Sequence, residues 1–425
     1  MSPVPLFDTY KSFLNLNFND LSNELPRVVE ALDQCPENVR AHESYRAVRG
    51  FLKSYSGNSA TFNSYRTHIE RLLLWSLYIA NKPILSLHRT DTEAFLEFCL
   101  NPPAEWIGPV VKSRFIRMGG RLKSADDRYE INPDWRPFTL TIPKAARKLS
   151  NPETTEASYS MGQGTVSQVF AVCTSFYQFC IDEDLTETNP FRAIKQKSRF
   201  KQRYVASASS RSLTPLQWEF VIETAEIMAS EEPERYERSL FILVTLFSMY
   251  LRISDLVGRD NWQPTMDAFI KIGENWWLEV VGKGNKKAKI SVRDDYLPYL
   301  RRYRIFRGLS PMPHAGDTSP LLCTLDGRAG LSDRHVRLLI QEVFDRAAIR
   351  MQEEGRTEEE INNLHAASLH WLRHTSATFD APLREMKDLQ ADLRHESLKT
   401  TQDHYYDSLD DQRSLSVKRI PLRGR

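Results

Sequence analysis

The residue pattern turns from helical to strand-like in one region only, and that region constrains the fold most. Between Thr214 and Val292, a helical stretch, PLQWEFVIETAEIMA (215–229), and a long apolar one, SLFILVTLFSMYLR (239–252), lead into MDAFIKI (266–272) and NWWLEVV (275–281), then a turn at GKGNKK and a short third run, AKISV (288–292). Short runs rich in β-branched and aromatic residues, bounded by Gly-containing turns, are strands, and three in succession make one small antiparallel sheet. Beyond Val292 the pattern returns to helical spacing, at SDRHVRLLIQEVFDRAA (332–348) and LHWLRHTSATF (369–379). The expected fold is mainly α with a small antiparallel β-sheet: a helical domain followed by an α+β domain.

The N-terminal half supplies the helical domain. In ATFNSYRTHIERLLLWSLYIA (60–80), Tyr65, Ile69, Leu72, Leu73, Ser76 and Ile79 fall on one side, and the helix ends near Asn81 and Pro83. A second helix starts around a Thr90-Asp91 cap, carries Phe95 and Phe98 on one face and stops at Pro102-Pro103. A third, from about Gly164 to Cys180, repeats Val166, Phe170, Cys173 and Tyr177. Residues 101–160, rich in Pro, Trp and Arg and weakly periodic, read as an insertion. The resulting plan is an N-terminal extension (1–40), a helical domain (41–195) holding that insertion, a basic linker (196–211), a second domain (212–410) and a tail (411–425). A chain of 425 residues suits two domains plus extensions.

Composition is that of an ordinary globular protein, 41% hydrophobic and 26% charged, and a net charge of +2 neither favours nor opposes a nucleic-acid partner. The local distribution is more informative. In KQKSRFKQR, Lys195, Lys197, Arg199, Lys201 and Arg203 occupy every second position with no acid between them, which suits extended chain lying along phosphates. A solvated spacer between domains is the other reading. Cys35, Cys99, Cys173, Cys180 and Cys323 show no C-x-x-C spacing and read as reduced core residues of a cytosolic protein. The start, MSPVPLFDTYKSF, is not a signal peptide, and no run approaches the ~20 apolar residues of a membrane span. A cytoplasmic protein is expected.

Four segments carry groups suited to phosphate chemistry. LHWLRHTSATF sets His370, Arg373 and His374 within little more than one helical turn, an imidazole beside a guanidinium. Zinc between the two histidines is disfavoured, because the Glu of H-E-x-x-H is missing and Arg373 would repel a cation. A structural histidine pair remains open. In LRISDL, Arg252 follows the apolar helix with Asp255 three residues on, either paired with that acid or held ready for an anion. Lys283, between Gly282 and Gly284 in GKGNKK, is either a mobile ammonium at a hairpin tip or an ordinary exposed turn; G-x-x-x-x-G-K-[ST] is not satisfied. In LRHESLKTTQDHYYDS, His395 precedes Tyr405 by ten residues, with Tyr406 next; in a chain of sixteen tyrosines such a pair is by itself usually packing.

Taken together, Arg252, Lys283, His370, Arg373, His395 and Tyr405 occur in the order found in the tyrosine recombinase, or phage integrase, family, which includes lambda-type integrases, the Xer recombinases and Cre. The chain resembles that family most clearly in its C-terminal half; the helical domain, ending in LTETNPF, resembles the family's core-binding domain in pattern only. Two departures stand out. Met249-Tyr250 replaces a frequent Thr-Gly, and Leu393-Arg394-His395 replaces the usual Leu-Gly-His. Both losses of glycine bear on backbone geometry rather than on chemistry.

The resemblance implies a site-specific DNA recombinase. Tyr405 would attack the scissile phosphate to give a 3'-phosphotyrosyl bond, with Tyr406 the alternative nucleophile. Arg252 and Arg373 would clamp the non-bridging oxygens, Lys283 would protonate the leaving 5' oxygen, His370 would help manage the tyrosine proton and His395 would bond to the phosphate, with Asp255 in support. No cofactor or metal is implied, the partners being double-stranded DNA at specific sites and three further copies in a tetrameric synaptic complex. The tail DQRSLSVKRIPLRGR would dock on a neighbouring subunit or bind DNA, a frayed terminus being the other reading. The competing readings are a catalytically inactive DNA-binding accessory protein, a type IB topoisomerase or telomere resolvase, and a helical transcriptional regulator.

Overall fold

The computed structural model describes residues 3–18, 20–22, 24–119, 127–140, 159–194, 200, 212–258, 262–282, 287–402, 405 and 418. The chain divides into two compact units, the first taking Met1–Ile142 and Ser150–Val205, the second chiefly Ala206–Arg425.

The first unit is built on helices α1 (Tyr10–Leu14), α2 (Pro26–Asp33), α3 (Ala41–Lys53), α4 (Ser59–Trp75), α5 (Arg89–Leu100) and α6 (Gln163–Asp182). Asn58 starts α4 by accepting the Thr61 N–H at 3.0 Å. At Ser76–Ala80 the helix widens into a π turn that closes on Asn81 at φ 51°. The wider turn rotates the stripe expected from α-helical spacing, so Leu77 is buried while Ile79, assigned to the core face, is 44% exposed. The cap of α5 also differs from expectation. His88 is the N-cap, and Asp91 reaches back to accept its N–H at 2.9 Å, so the acid sits at the third helical position rather than ahead of the helix.

Phe51, Leu52, Ile69, Leu72, Leu73, Phe95, Val169, Cys173 and Tyr177 are fully buried at the centre of this unit, each contributing about 1.5–3 kcal/mol through burial. Residues ahead of α3 join the same core through Leu6, Phe7, Phe13, Val28 and Leu32, and Phe7 stacks on Tyr45 at 4.9 Å. The stretch from 101 holds short strands that its weak periodicity did not announce. β1 (Ile107–Gly108) pairs in parallel with β4 (Phe138–Thr139), and β2 (Phe115–Met118) pairs antiparallel with β3 (Arg128–Ile131). Runs of two to four residues are too short for an alternation to show. Trp106, Phe115, Trp135 and Phe138 bury this segment on the helices, and buried Glu70 fastens it by taking Arg114 on one oxygen and the Leu6 and Phe7 N–H groups on the other.

The second unit opens with an antiparallel pair of helices, α7 (Pro215–Glu231) and α8 (Pro233–Ser248), each with proline in its first turn, where no N–H is missed. Every residue of α8 from Tyr236 to Phe247 is buried; from Leu240 on the helix is apolar on nearly all sides, and buried Glu237 pairs with Arg302. After the short α9 (Ile253–Val257) come three antiparallel strands, β5 (Phe269–Ile272), β6 (Asn275–Val281) and β7 (Lys287–Ser291), in the order β5-β6-β7. Ile272 pairs with Asn275 across a tight turn in which Gly273 takes φ 61°. Helices α10 (Leu297–Phe306), α11 (Asp333–Glu353), α12 (Glu358–Ala366), α13 (Leu369–Asp380), α14 (Met386–Leu393) and α15 (Leu398–Thr401) complete the unit. The protein is thus mainly helical with small sheets.

All five cysteines are free thiols, and three are buried as expected; Cys35 and Cys323 are half-buried. Of the basic linker and the tail, only Phe200, which meets Phe170 at 6.2 Å, and Lys418 are described, so Lys195, Lys197, Arg199, Lys201 and Arg203 lie outside the described residues. Among the described residues no helix is long and apolar enough to cross a membrane.

Candidate active site

A small apolar cluster, separate from the main core of the second unit, gathers Tyr250, Ala377, Ala381, Leu389, Leu393 and Tyr405. It joins the loop after α8 to α13 and α14, and it seats Tyr405 at 1% exposure. Around this tyrosine stand Arg252, His370, Arg373, His374 and His395. Lys283 and Tyr406 lie outside the described residues.

Tyr405 meets His374, with its hydroxyl 3.1 Å from Nδ1. Nε2 of His374 lies 2.9 Å from Nε2 of His370, one turn earlier on α13, and the two rings are perpendicular at 88°. His370 is exposed, whereas Arg373 on the same helix is buried. The direct neighbour of the phenol is therefore His374 rather than His370. On the other side the His395 ring lies nearly parallel to that of Tyr405, at 8° and 6.1 Å, and its Nδ1 lies 2.9 Å from the Thr401 hydroxyl. Burial raises the Tyr405 pKa, while the cationic Arg373 and Arg252 pull it back down.

Arg373 donates from its two terminal nitrogens to the carbonyls of Tyr250 and Leu393. It thereby ties the loop that carries Arg252 to the loop that carries His395. Burial pushes its guanidinium pKa down to about 9, helped by the neighbouring charges of Arg252 and Arg394, and the group stays cationic at neutral pH.

Arg252 is the N-cap of α9, exposed, and its backbone N–H is accepted by Asp255 at 2.8 Å. The Asp255 carboxylate pairs with Arg394, and among the described residues Arg252 forms no ion pair. Of the two readings open for Arg252, the ion pair with Asp255 is not formed, because that carboxylate is taken by Arg394.

Both positions that depart from the family's glycines take the conformation glycine favours, Tyr250 at φ 51° and Arg394 at φ 54°. Their side chains are put to use. The Tyr250 hydroxyl donates to Asp380 and accepts from Arg384 at 3.1 Å. Arg293 reaches the same carboxylate and donates to Ser376 at 2.8 Å, while Arg384 pairs with Asp392 at 2.7 Å, whose other oxygen takes the Ser291 N–H at 3.0 Å. This network anchors the end of β7 to α13 and α14. Neither role had a sequence signal beyond the missing glycine, and the spacing of His370 and Arg373 did not single out His374 as the partner of the phenol. Among the described residues no group of His, Cys, Asp or Glu is arranged to hold a metal ion.

This architecture, helices followed by an α+β unit, is similar in fold to that of solved site-specific recombinases. A solved structure of XerH site-specific recombinase bound to palindromic difH substrate matches it over 97% of this chain and 94% of that one, with a TM-score of 0.54 at 13% identity, a likeness of fold. The chain is 27% identical over 248 residues to tyrosine recombinase XerC of Staphylococcus haemolyticus, covering 57% of this chain and 71% of that protein. It is 30% identical over 200 residues to XerC of Bradyrhizobium diazoefficiens, covering 45% and 53%. No family model matches. In sequence and fold the chain is similar to the tyrosine recombinase/integrase family.

Proposed function

We propose that the protein recombines double-stranded DNA at specific sites, cutting and rejoining strands through a 3'-phosphotyrosine at Tyr405. The observation that carries this reading is the setting of the Tyr405 hydroxyl, held by an imidazole and flanked by two cationic guanidiniums. Phosphodiester exchange needs a nucleophile, charge neutralisation on the non-bridging oxygens and a proton for the departing oxygen. Tyr405 supplies the first. Arg252, exposed and without an acidic partner among the described residues, and Arg373, behind it, supply the second. His395, oriented by Thr401, donates to the phosphate, and Lys283 serves the leaving 5' oxygen.

Attack by Tyr405 exchanges one phosphodiester for another, so the bond energy is retained and neither ATP nor a metal is required. The likeness in fold to XerH bound to its difH substrate supports a specific DNA site as the partner. Two DNA sites paired by four copies of the chain would let each strand exchange partners.

The test is covalent trapping on a nicked suicide substrate carrying the protein's own recombination site, in EDTA. The expected result is an adduct that disappears with Tyr405→Phe and persists with Tyr406→Phe. Loss only with Tyr406→Phe would move the nucleophile by one residue. DNA binding without any adduct would make the chain an accessory DNA-binding protein.

A further inference from the structure

We infer that His374 is a catalytic residue that takes the phenolic proton of Tyr405 and hands one on to His370. This rests on the reading of Tyr405 as the nucleophile.

Two distances define the path. The Tyr405 hydroxyl lies 3.1 Å from Nδ1 of His374, whose Nε2 lies 2.9 Å from Nε2 of His370. Both separations are within hydrogen-bond reach. Tyr405 is 1% exposed, whereas His370 is exposed, so the path leads from a buried hydroxyl towards water. Residues 370 and 374 are four apart on α13, the spacing that stacks side chains on one face of a helix.

The geometry also sets a direction. Two imidazole nitrogens 2.9 Å apart share one hydrogen. If Nδ1 of His374 accepts from the phenol, its own hydrogen is on Nε2 and is donated to Nε2 of His370, which leaves the His370 hydrogen on Nδ1. That assignment follows from the network. In the forward step the bond from the Tyr405 oxygen to phosphorus forms and the bond from phosphorus to the 5' oxygen breaks. The phenolic proton moves to Nδ1 of His374, the proton on Nε2 moves to His370, and the one on Nδ1 of His370 passes to water. The departing 5' oxygen takes its proton from a separate acid. Rejoining runs the same transfers backwards. Of the other groups facing Tyr405, Arg252 and Arg373 are cations that favour loss of the phenolic proton and do not accept it, while the His395 ring stacks on the phenol and turns its Nδ1 to Thr401.

A substrate with sulfur in place of the bridging 5' oxygen separates the two ends of the reaction, because the departing thiolate needs no proton. His374→Asn keeps an oxygen acceptor near the Nδ1 position but cannot be protonated there. Expected is a fall in the adduct-forming rate of about 10²–10⁴-fold for His374→Asn on both the oxygen and the sulfur substrate, with DNA affinity unchanged. Lys283→Ala, by contrast, should be restored by sulfur. A His374→Asn rate within about threefold of the parent overturns the inference, and so does its rescue by sulfur, which would assign His374 to the leaving group. If the asparagine variant fails to bind DNA, His374→Ala with added imidazole decides: a rate that rises with imidazole supports the inference, and one that ignores it overturns it. An adduct that survives Tyr405→Phe removes the nucleophile reading itself, an outcome distinct from any of these.

Discussion

Arg394 holds Asp255 with both terminal nitrogens while its own backbone sits at φ 54°, a conformation that costs a non-glycine residue energy. The pair is buried, with side chains 10% and 1% exposed. It fixes the carboxylate that caps the N-terminus of α9, the helix whose N-cap is Arg252.

Arg394→Gly tests which effect wins. Removing one member of a buried pair costs about 3–5 kcal/mol. Relieving the left-handed backbone returns about 1–2 kcal/mol. The expected net loss is about 1–4 kcal/mol, seen as a lower urea midpoint, and Arg394→Gly combined with Asp255→Asn should lose less than the sum of the single changes. A gain in stability with Arg394→Gly would mean that strain outweighs the pair.

Tyr250 poses the same contest with a different balance. Tyr250→Phe keeps the ring in its apolar cluster and removes the hydroxyl shared by Asp380, Arg293 and Arg384, for an expected loss of about 1–3 kcal/mol. Tyr250→Gly suits φ 51° but empties the position, which costs about 3–5 kcal/mol for an aromatic side chain and exceeds the backbone gain. The order of stability by chemical denaturation should be parent, then Phe, then Gly.

The sequence carried the three strands of the second unit and most long helices because each obeys one period over many residues. Arg252, Arg373, His395 and Tyr405 were legible as members of one neighbourhood only through the resemblance to the recombinase family. The sequence did not carry what depends on local winding or on contacts between distant segments. Ile79 was misplaced because a π turn intervenes, and β1–β4 are too short to alternate. Tyr250 and Arg394 showed only as missing glycines, since their partners Asp380 and Asp255 lie more than a hundred residues away.

His395 depends on Thr401 for its ring orientation. Thr401 is fully buried and its hydroxyl lies 2.9 Å from Nδ1, which holds the ring by that nitrogen. Thr401→Val preserves shape and removes that partner. An expected fall of about tenfold or more in the adduct-forming rate, with DNA affinity unchanged, follows from losing a fixed orientation at the reacting group. An unchanged rate would show that stacking on Tyr405 alone orients the ring.

The first unit carries an acid-sensitive group of its own. His68 is 5% exposed, its Nε2 lies 3.3 Å from Gln168, and its Nδ1 meets no partner among the described residues. Burial pushes its pKa down to about 4 from 6.5, and nearby Arg71 adds to the shift. Between these values the unfolded chain binds a proton that the folded one does not. The stabilisation is therefore complete above pH 6.5 and is lost as pH falls towards 4, to a total of about 3 kcal/mol. His68→Leu cannot titrate, and its only loss is one long hydrogen bond. The variant should match the parent within about 1 kcal/mol at pH 8 and unfold with a shallower dependence on pH between 6.5 and 4. If parent and variant keep the same slope there, the acid sensitivity of the unit lies in another group.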